Sequence, residues 1–320
     1  MINYIVDNGQ IVAFTGILTA FFLTCICMGS FSKYLPKDMG RQYAHDGKLS
    51  AGKPRGAGFI FVLVFIASGI VFGPFTRENI IYIILLAAAM MTGFLDDCAK
   101  TPWGEYKKGI LDLVIAIMVA VTFLNFNTNT INIIGTDISV TIPPVVFGIL
   151  VVILVWTSIN VTNCADGVDG LSGTLALVTL GTIYMVGHIL GKGGDFSYLT
   201  LIFMACILGY LWFNATPSLL MMGDAGSRAM GLFIAIAVLK TESPIVYIPA
   251  AIVLIADGGL GLVKVALLRF LKIKILKNTR TPLHDHVRKV WNWSNTHTVY
   301  RFAIIQAVVG IATVYIYLLV

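Results

Sequence analysis

The chain has 320 residues, of which 58% are hydrophobic and only 12% are Asp, Glu, Lys or Arg. A soluble globular domain typically carries about 25% charged residues, so this sequence has too few charges to cover a water-exposed surface. Its 22 basic and 16 acidic residues leave a net charge of +6, which in a membrane protein reflects the orientation of the loops. We therefore expect an integral membrane protein with no nucleic-acid partner.

The hydrophobic residues fall into ten runs, most of them long enough for a helix across a bilayer core of about 30 Å. Their approximate bounds are 10–31, 57–73, 79–95, 109–126, 145–161, 171–190, 198–215, 229–239, 245–268 and 302–320. The sequence thus predicts an all-α polytopic membrane protein with about ten transmembrane helices, in a single domain over residues 1–320. Segment 127–144 alternates Thr, Asn and Ile around a turn, which predicts a short β-hairpin on the outer face.

Lys and Arg are distributed very unequally between the two sets of loops. The loops after the odd-numbered predicted helices carry 18 of the 22 basic residues, Arg228 among them, whereas the other loops carry Arg77, Lys192 and Lys240. Because cytoplasmic loops hold the excess of Lys and Arg, we expect the odd-numbered loops in the cytoplasm and both termini outside.

Four polar segments adjoin the predicted helices, and all four lie on odd-numbered loops. The first is Asp96-Asp97 at the end of the third helix, with Lys100 and Lys108 following. Adjacent carboxylates repel, so both stay ionised only when a cation joins them. A solvated helix end is the alternative interpretation of this pair.

The second and third segments combine acidic residues with glycine. Asn163, Asp166 and Asp169 share one loop, where the glycine after each Asp permits tight turns; these acceptors suit sugar hydroxyls, a base edge or a metal, or form an ordinary polar turn. Asp224 lies in Met-Gly-Asp-Ala-Gly-Ser at the start of a helix. Such a site favours a phosphate at the helix N-terminus and an Asp that holds Mg²⁺, although a plain N-cap is the alternative.

The fourth segment is His284-Asp285-His286, in the basic loop before the last helix. Two histidines beside basic residues suggest phosphate binding or a proton shuttle, and no further local ligand completes a tetrahedral zinc site. Together the four segments predict an anionic cleft at one membrane face, suited to Mg²⁺-assisted phosphoryl transfer. A transporter is the competing class, but it would spread its charges along a midplane pathway.

The order of these motifs carries a family resemblance. FLDD at 94–97, NxxDGxDGL at 163–171, MGDxGS at 222–227 and PLHxH at 282–286 resemble the polyprenyl-phosphate N-acetylhexosamine-1-phosphate transferase superfamily over nearly the whole chain. Within it, the Gly-rich segment 46–58 and the motif PLHDH look most like the phospho-MurNAc-pentapeptide translocase (MraY) branch.

This resemblance implies transfer of phospho-MurNAc-pentapeptide from its UDP conjugate to undecaprenyl phosphate, giving lipid I and UMP in peptidoglycan synthesis. It implies Mg²⁺ as cofactor, a multi-pass location in the bacterial plasma membrane, a cytoplasmic active site and a possible homodimer among membrane lipids. The lipid carrier is expected in an apolar groove between helices. The alternative is GlcNAc-1-phosphate transfer from UDP-GlcNAc, as in the WecA/TagO branch.

The resemblance also implies roles for individual residues. The expected catalytic residues are Asp96, Asp97, Asp224, His284 and His286. The expected substrate-binding residues are Lys100, Lys108, Asn163, Asp166, Asp169, Asn214 and Met221. The expected Mg²⁺ ligands are Asp224 and Asp97.

Four positions depart from the pattern of that branch, and one of them is Ser50, where a lysine is expected two residues before Gly52. Asp285 replaces the middle histidine of a histidine triple, and Met221 stands where an aromatic residue often stacks on uracil. Asp257, in the ninth predicted helix, resembles the aspartate of the GlcNAc branch. These departures leave the donor sugar open between the two branches.

Overall fold

The computed structural model describes residues 9–40, 50–133, 135, 136 and 138–319. Most of these residues are helical, which confirms the all-α class. The helices are α1 (Gly9–Phe31), α2 (Gly58–Phe72), α3 (Arg77–Asp97), α4 (Glu105–Phe126), α5 (Pro144–Cys164), α6 (Leu171–Ile189), α7 (Gly194–Asn214), α8 (Gly223–Leu239), α9 (Pro244–Ala250), α10 (Ile252–Leu271), α11 (Leu283–Val290) and α12 (Asn295–Leu318).

Within the described residues, seven single helices are long and apolar enough to cross a membrane, namely α1, α3, α4, α5, α6, α7 and α12. The pair α9 and α10, bent by 70°, forms an eighth candidate, and α2 and α8 are shorter, with 15 and 17 residues. The chain is therefore a multi-pass membrane protein. Each of the ten predicted spans falls on a helix, while the number that crosses the bilayer and the side of the termini stay predictions.

The predicted hairpin is present. Strands β1 (Thr130–Asn132) and β2 (Ser139–Thr141) pair antiparallel, with Ile131 opposite Val140. Ile131 is buried, and Asn129 donates its side-chain amide to the carbonyl of Ile142, which closes the base of the loop. The two strands thus form a cap on this end of the bundle.

Helix α8 forms the centre of the bundle, because every one of its residues is buried. It packs mainly against α3 and α5 and also contacts α2 and α6. The sequence predicts a span of only 229–239 here, whereas the helix begins at Gly223. The prediction that Arg228 lies in a loop is wrong, since Arg228 belongs to α8. A helix enclosed by other helices meets little lipid, so it can carry polar side chains that pair with its neighbours.

Two glycines let helices approach the start of α8 closely. A Cβ added at Gly93 of α3 would lie 2.3 Å from the carbonyl oxygen of Asp224, and one at Gly58 of α2 would lie 2.0 Å from the backbone nitrogen of Gly226. No side chain fits in either place. The two contacts fix the ends of α2 and α3 against the first turn of α8.

The end of the bundle near the hairpin holds its own polar network. Lys240, just after α8, contacts Glu78 of α3 at 2.9 Å and donates to Asn127, just after α4, at 2.7 Å. Thr76 caps α3 by accepting a hydrogen bond from the backbone of Asn79. These contacts join the ends of three helices far from the four predicted site segments.

Candidate active site

The two adjacent acids at the end of α3 face different partners. Successive residues on a helix point about 100° apart, so Asp97 is directed at the start of α8 and Asp96 at the start of α4. Both are buried, with 8% and 5% exposure. Asp96 also accepts a hydrogen bond from the backbone N–H of Trp103 at 2.6 Å.

Asp97 caps the N-terminus of α8 from a different helix. Its carboxylate accepts hydrogen bonds from the backbone N–H groups of Asp224 and Ala225, each at 3.1 Å. The guanidinium Nε of Arg55 lies 2.9 Å from the same carboxylate. A carboxylate has about four acceptor positions, and two of those on Asp97 are taken by backbone hydrogen bonds from α8. Asp97 therefore fixes α8 relative to α3.

Lys108, on the first turn of α4, joins the two other acids. Its ammonium contacts Asp96 and lies 2.8 Å from Oδ2 of Asp224. This is the cation that two neighbouring carboxylates require in order to stay ionised together. Lys100, the other predicted lysine, is exposed. The structure thus brings Lys108 into the acidic pocket and leaves Lys100 at its edge.

Arg55 is a site residue that the motif reasoning does not identify. Its side chain lies 2.9 Å from Asp97, 3.6 Å from Asp224 and 3.8 Å from Asp38. Burial disfavours the charged guanidinium, but the surrounding carboxylates outweigh it and raise the pKa of Arg55 above its ordinary value. Its position in the glycine-rich segment 52–58, which the resemblance also singles out, is the signal that could have identified it.

Met221 connects this segment to the loop before α8 through its backbone. Its N–H donates to the carbonyl of Pro54 at 2.8 Å, and its own carbonyl accepts from Ala57 at 3.0 Å. The side chain is partly buried. The predicted contact of Met221 with a base stays a prediction, whereas its main chain holds Arg55 close to Asp224.

The end of α5 and the loop that follows it lie beside the same pocket, and Asn163, which the sequence predicts in that loop, belongs to the last turn of α5. Asn163 donates to the hydroxyl of Ser227 on α8 at 2.9 Å, and Asp166 accepts from Ser172 at 2.6 Å. Asp169 lies 3.6 Å from the ammonium of Lys53. Each of the three predicted residues is therefore held by a neighbouring side chain.

Asn214 holds two loops together and is itself buried. Its side-chain oxygen accepts from the backbone N–H of Gly170, and its side-chain nitrogen donates to the carbonyl of Leu220, both at 2.8 Å. The amide therefore orders the loops after α5 and α7 around the pocket. A direct contact of Asn214 with substrate stays a prediction.

His284 pairs with an acid on α10. Asp257 is fully buried and accepts from both the backbone N–H of His284, at 2.7 Å, and its ring atom Nδ1, at 2.8 Å. The other ring nitrogen is directed at the loop between α5 and α6, because a Cβ added at Gly167 would lie 2.2 Å from Nε2. Asp257 lies in a π-helical stretch, Ile255–Gly259, a local widening that is frequent at functional sites.

The remaining residues of the histidine segment have separate partners. Asp285 lies 2.9 Å from Arg288 and 3.4 Å from Lys289. Burial disfavours its charge, but His284, Lys289 and Arg288 outweigh it and lower the pKa of Asp285. His286 accepts from the backbone of Arg280 at 3.2 Å and lies edge-on against Trp291. His284 and His286 therefore have different surroundings.

The four segments thus meet at one end of the bundle, through contacts that run from Arg55 to Asp97 and Asp224, and from Lys53 to Asp169. Arg288 extends this set by donating to the carbonyl of Gly167 at 3.5 Å. Within the part of the chain that the structure describes, no three His, Cys, Asp or Glu side chains are arranged as a complete metal site.

Comparison with known proteins agrees with this architecture. The chain belongs to glycosyl transferase family 4, whose profile matches residues 79–242. That region makes up about half of the chain and contains the acidic pair, the loop between α5 and α6, and Asp224.

Over most of its length the chain is also similar to proteins named phospho-N-acetylmuramoyl-pentapeptide-transferase. It is 38% identical to the one from Treponema pallidum, over 91% of this chain and 85% of that protein. It is 26% identical to the one from Rubrobacter xylanophilus, over 91% and 93%, and 31% identical to the one from Borreliella burgdorferi, over 52% and 51%. The resemblance seen in the motifs is confirmed.

Proposed function

We propose that this protein transfers phospho-MurNAc-pentapeptide from UDP-MurNAc-pentapeptide to undecaprenyl phosphate, giving lipid I and UMP. The relatives that cover most of the chain carry the name of that transferase. The observation that carries the proposal is the position of Lys108, whose ammonium lies between Asp96 of α3 and Asp224 of α8. Acids from two helices and a lysine from a third thus meet beside a loop of polar acceptors.

The reaction joins two phosphates directly, so it requires little covalent chemistry from protein side chains. An oxygen of the lipid phosphate attacks the β-phosphorus of the nucleotide sugar, and the bond to the α-phosphate breaks to release UMP. Asp96 orients the attacking phosphate or accepts its remaining proton, and positioning is the larger contribution because that phosphate is already largely ionised at neutral pH. Lys108 and Arg55 keep the acids from repelling one another and offer donors to phosphate oxygens.

The residues of the pocket fit Mg²⁺. Carboxylate oxygens are its preferred protein ligands, and it commonly uses one or two of them together with substrate phosphates. Asp224 is the principal proposed ligand, and Asp97, which already accepts two hydrogen bonds from α8, is the second. When bound, Mg²⁺ supplies positive charge that stabilises the diphosphate during its cleavage.

An apolar cavity supports binding of a long lipid carrier. It has a volume of about 390 Å³ and lies between α5 and the bent pair α9 and α10, where Phe147, Leu150 and Ile248 line it. Ile255 also lines the cavity, two residues before Asp257, which holds His284. The cavity extends from Ile131 of the hairpin to Ile255, so we propose that an isoprenoid chain lies along it with its phosphate beyond Ile255.

The test is release of UMP by purified protein with undecaprenyl phosphate, with and without Mg²⁺. We expect release from UDP-MurNAc-pentapeptide, and none after Mg²⁺ is removed with a chelator. Release from UDP-GlcNAc instead would assign the protein to the GlcNAc-1-phosphate branch, which the aspartate at position 257 resembles. Absence of release from both donors would overturn the proposal.

The proposed setting follows from the same reaction. We propose a single transferase domain over residues 1–320 in the bacterial plasma membrane, with the pocket facing the cytoplasm, where nucleotide sugars are made. This agrees with the excess of Lys and Arg that the sequence predicts for the odd-numbered loops, from which Arg228 is removed because it belongs to α8. A homodimer is proposed from the family resemblance, and the mass of the detergent-solubilised particle tests it.

A further inference from the structure

Helix α8 carries a buried arginine directly behind the acidic pocket. Arg228 follows Asp224 by one helical turn and is only 2% exposed. It is paired with Asp112 of α4, which is also 2% exposed. Ionisable residues inside apolar helices are costly and rare, and neither residue belongs to the motifs that define the site. The pair therefore needs a physical explanation.

The guanidinium contacts two points on one turn of α4. Its Nη2 atom contacts Oδ1 of Asp112 and donates to the main-chain carbonyl of Lys108 at 3.4 Å. Lys108 and Asp112 are four residues apart, so Arg228 contacts both ends of the helical turn that begins with Lys108. From the other side, Asn160 of α5 lies within 3.4 Å of Oδ2 of Asp112.

These contacts bear on the turn of α4 from which the Lys108 side chain extends. Helix α4 packs mainly on α3 and α5, so the long side chain of Arg228 is a principal link from α8 to the start of α4. We propose that Arg228 is a positioning residue, which together with Asp112 holds the first turn of α4 so that the Lys108 ammonium lies between Asp96 and Asp224. This inference rests on the proposed function for its effect on catalysis.

A purely stabilising role explains the pair less well. Among the residues that the structure describes, Nε and Nη1 of Arg228 have no hydrogen-bond partner, and unmet buried donors destabilise a fold. Two well-packed apolar residues commonly serve stability as well as a buried ion pair or better. What apolar residues cannot supply is a donor to the carbonyl of Lys108.

The decisive variant therefore removes both charges at once. Arg228→Leu alone leaves Asp112 buried and unpaired, which by itself can unfold the protein. In the double variant Arg228→Leu and Asp112→Leu, we expect a melting temperature near that of the unchanged protein but a kcat lowered about 10²-fold, the loss typical of a misplaced catalytic group. Wild-type kcat in the folded double variant would overturn the proposal.

A second readout does not depend on turnover. Reaction of the solubilised protein with an amine reagent, followed by peptide mass spectrometry, measures how accessible each lysine is. We expect Lys108 to be protected relative to exposed Lys100 in the unchanged protein, and to react several-fold faster in the double variant. Equal protection of Lys108 in both proteins would contradict the positioning role, even if the proposed reaction itself were wrong.

Energetic coupling between Arg228 and Lys108 distinguishes a positioning role from a general loss of structure. If Arg228 acts through Lys108, the double leucine variant should lower kcat little further in a Lys108→Met background. Ser158→Ala is the matched control, because it removes a buried hydrogen bond of 2.7 Å to Gly231 of α8 without touching α4. We expect that control to lower the melting temperature and to leave the reactivity of Lys108 unchanged. If the losses in kcat from the double leucine variant and from Lys108→Met were fully additive, the proposal would be overturned.

Discussion

The ring atom Nδ1 of His284 lies 2.8 Å from Oδ2 of Asp257, and the backbone N–H of the same histidine donates to the other carboxylate oxygen at 2.7 Å. An ionised acid in that position favours the proton on Nδ1, and Nε2 is directed at Gly167 in the loop between α5 and α6. His284 is thereby oriented by a residue on a different helix. A catalytic role of His284 stays a prediction, and its pairing with Asp257 gives that prediction a test.

Replacing Asp257 by Asn tests this pairing. The amide cannot hold the same tautomer through both contacts, so we expect kcat to fall about 10²-fold, within the usual range for a group that transfers or orients a proton. The measurement is UMP release as a function of pH. Asp257→Glu retains a carboxylate and should recover part of the loss, and an unchanged kcat in Asp257→Asn would contradict the role.

Single Asp→Asn changes at Asp96, Asp97 and Asp224 test the acidic pocket. Each removes a negative charge that the reacting phosphates or their cation require, and we expect turnover to fall at least about 10²-fold. Asp97→Asn should also lower the melting temperature, since Asp97 caps α8 and a lost cap costs about 1 kcal/mol. Asp195→Asn, an exposed acid at the start of α7, is the control. Near-normal turnover in all three variants would exclude this pocket as the active site.

Lys108→Met tests the lysine that the structure selects. The variant leaves Asp96 and Asp224 without their shared cation, so we expect kcat to fall by about 10²-fold or more. Lys107→Met is the matched control, because Lys107 is the adjacent residue, is exposed and lies over the ring of Trp103. Steady-state UMP release measures both. Equal losses in the two variants would show that the identity of the lysine does not matter.

Asp285→Asn tests the ion pairs that replace the middle histidine. The folded state lowers the pKa of Asp285, so its stabilising contribution is fully present above the unfolded pKa of about 3.9. That contribution is lost as the pH falls through the lower, folded pKa. We expect the variant to melt a few degrees below the unchanged protein at pH 7, with a gap that narrows below about pH 4. A gap that is constant with pH would contradict this assignment.

Gly93→Ala tests the close packing of α3 on α8. The added methyl group would meet the carbonyl of Asp224, so we expect a destabilisation of about 1–3 kcal/mol together with loss of turnover. Gly29→Ala on α1 is the control, since a Cβ there has no atom within 4 Å. Thermal unfolding in detergent measures both variants, and equal melting temperatures would show that α3 can move away from α8 at little cost.

The sequence predicted the segments of this site better than their contacts. The acidic pair, the Asn163 loop, Asp224 and His284 all meet at one end of the bundle, because loop parity already assigned them to one side. The sequence did not identify Arg55 as part of the site, and it did not distinguish Lys108 from Lys100. Those two distinctions depend on which side chain reaches Asp224, and no spacing along the chain encodes that distance.

The order of residues alone predicted a membrane protein, the positions of its apolar runs, a hairpin between two of them and four polar motifs for its chemistry. Composition and local turn preferences suffice for these conclusions, because they depend on neighbouring residues only. The packed helices were needed to show that Asp97 caps α8, that Asp257 contacts His284 and that Arg228 is buried against Asp112. The helices are apolar on nearly every side, so their sequences carry no periodicity that tells which faces meet, and packing alone selects the partners.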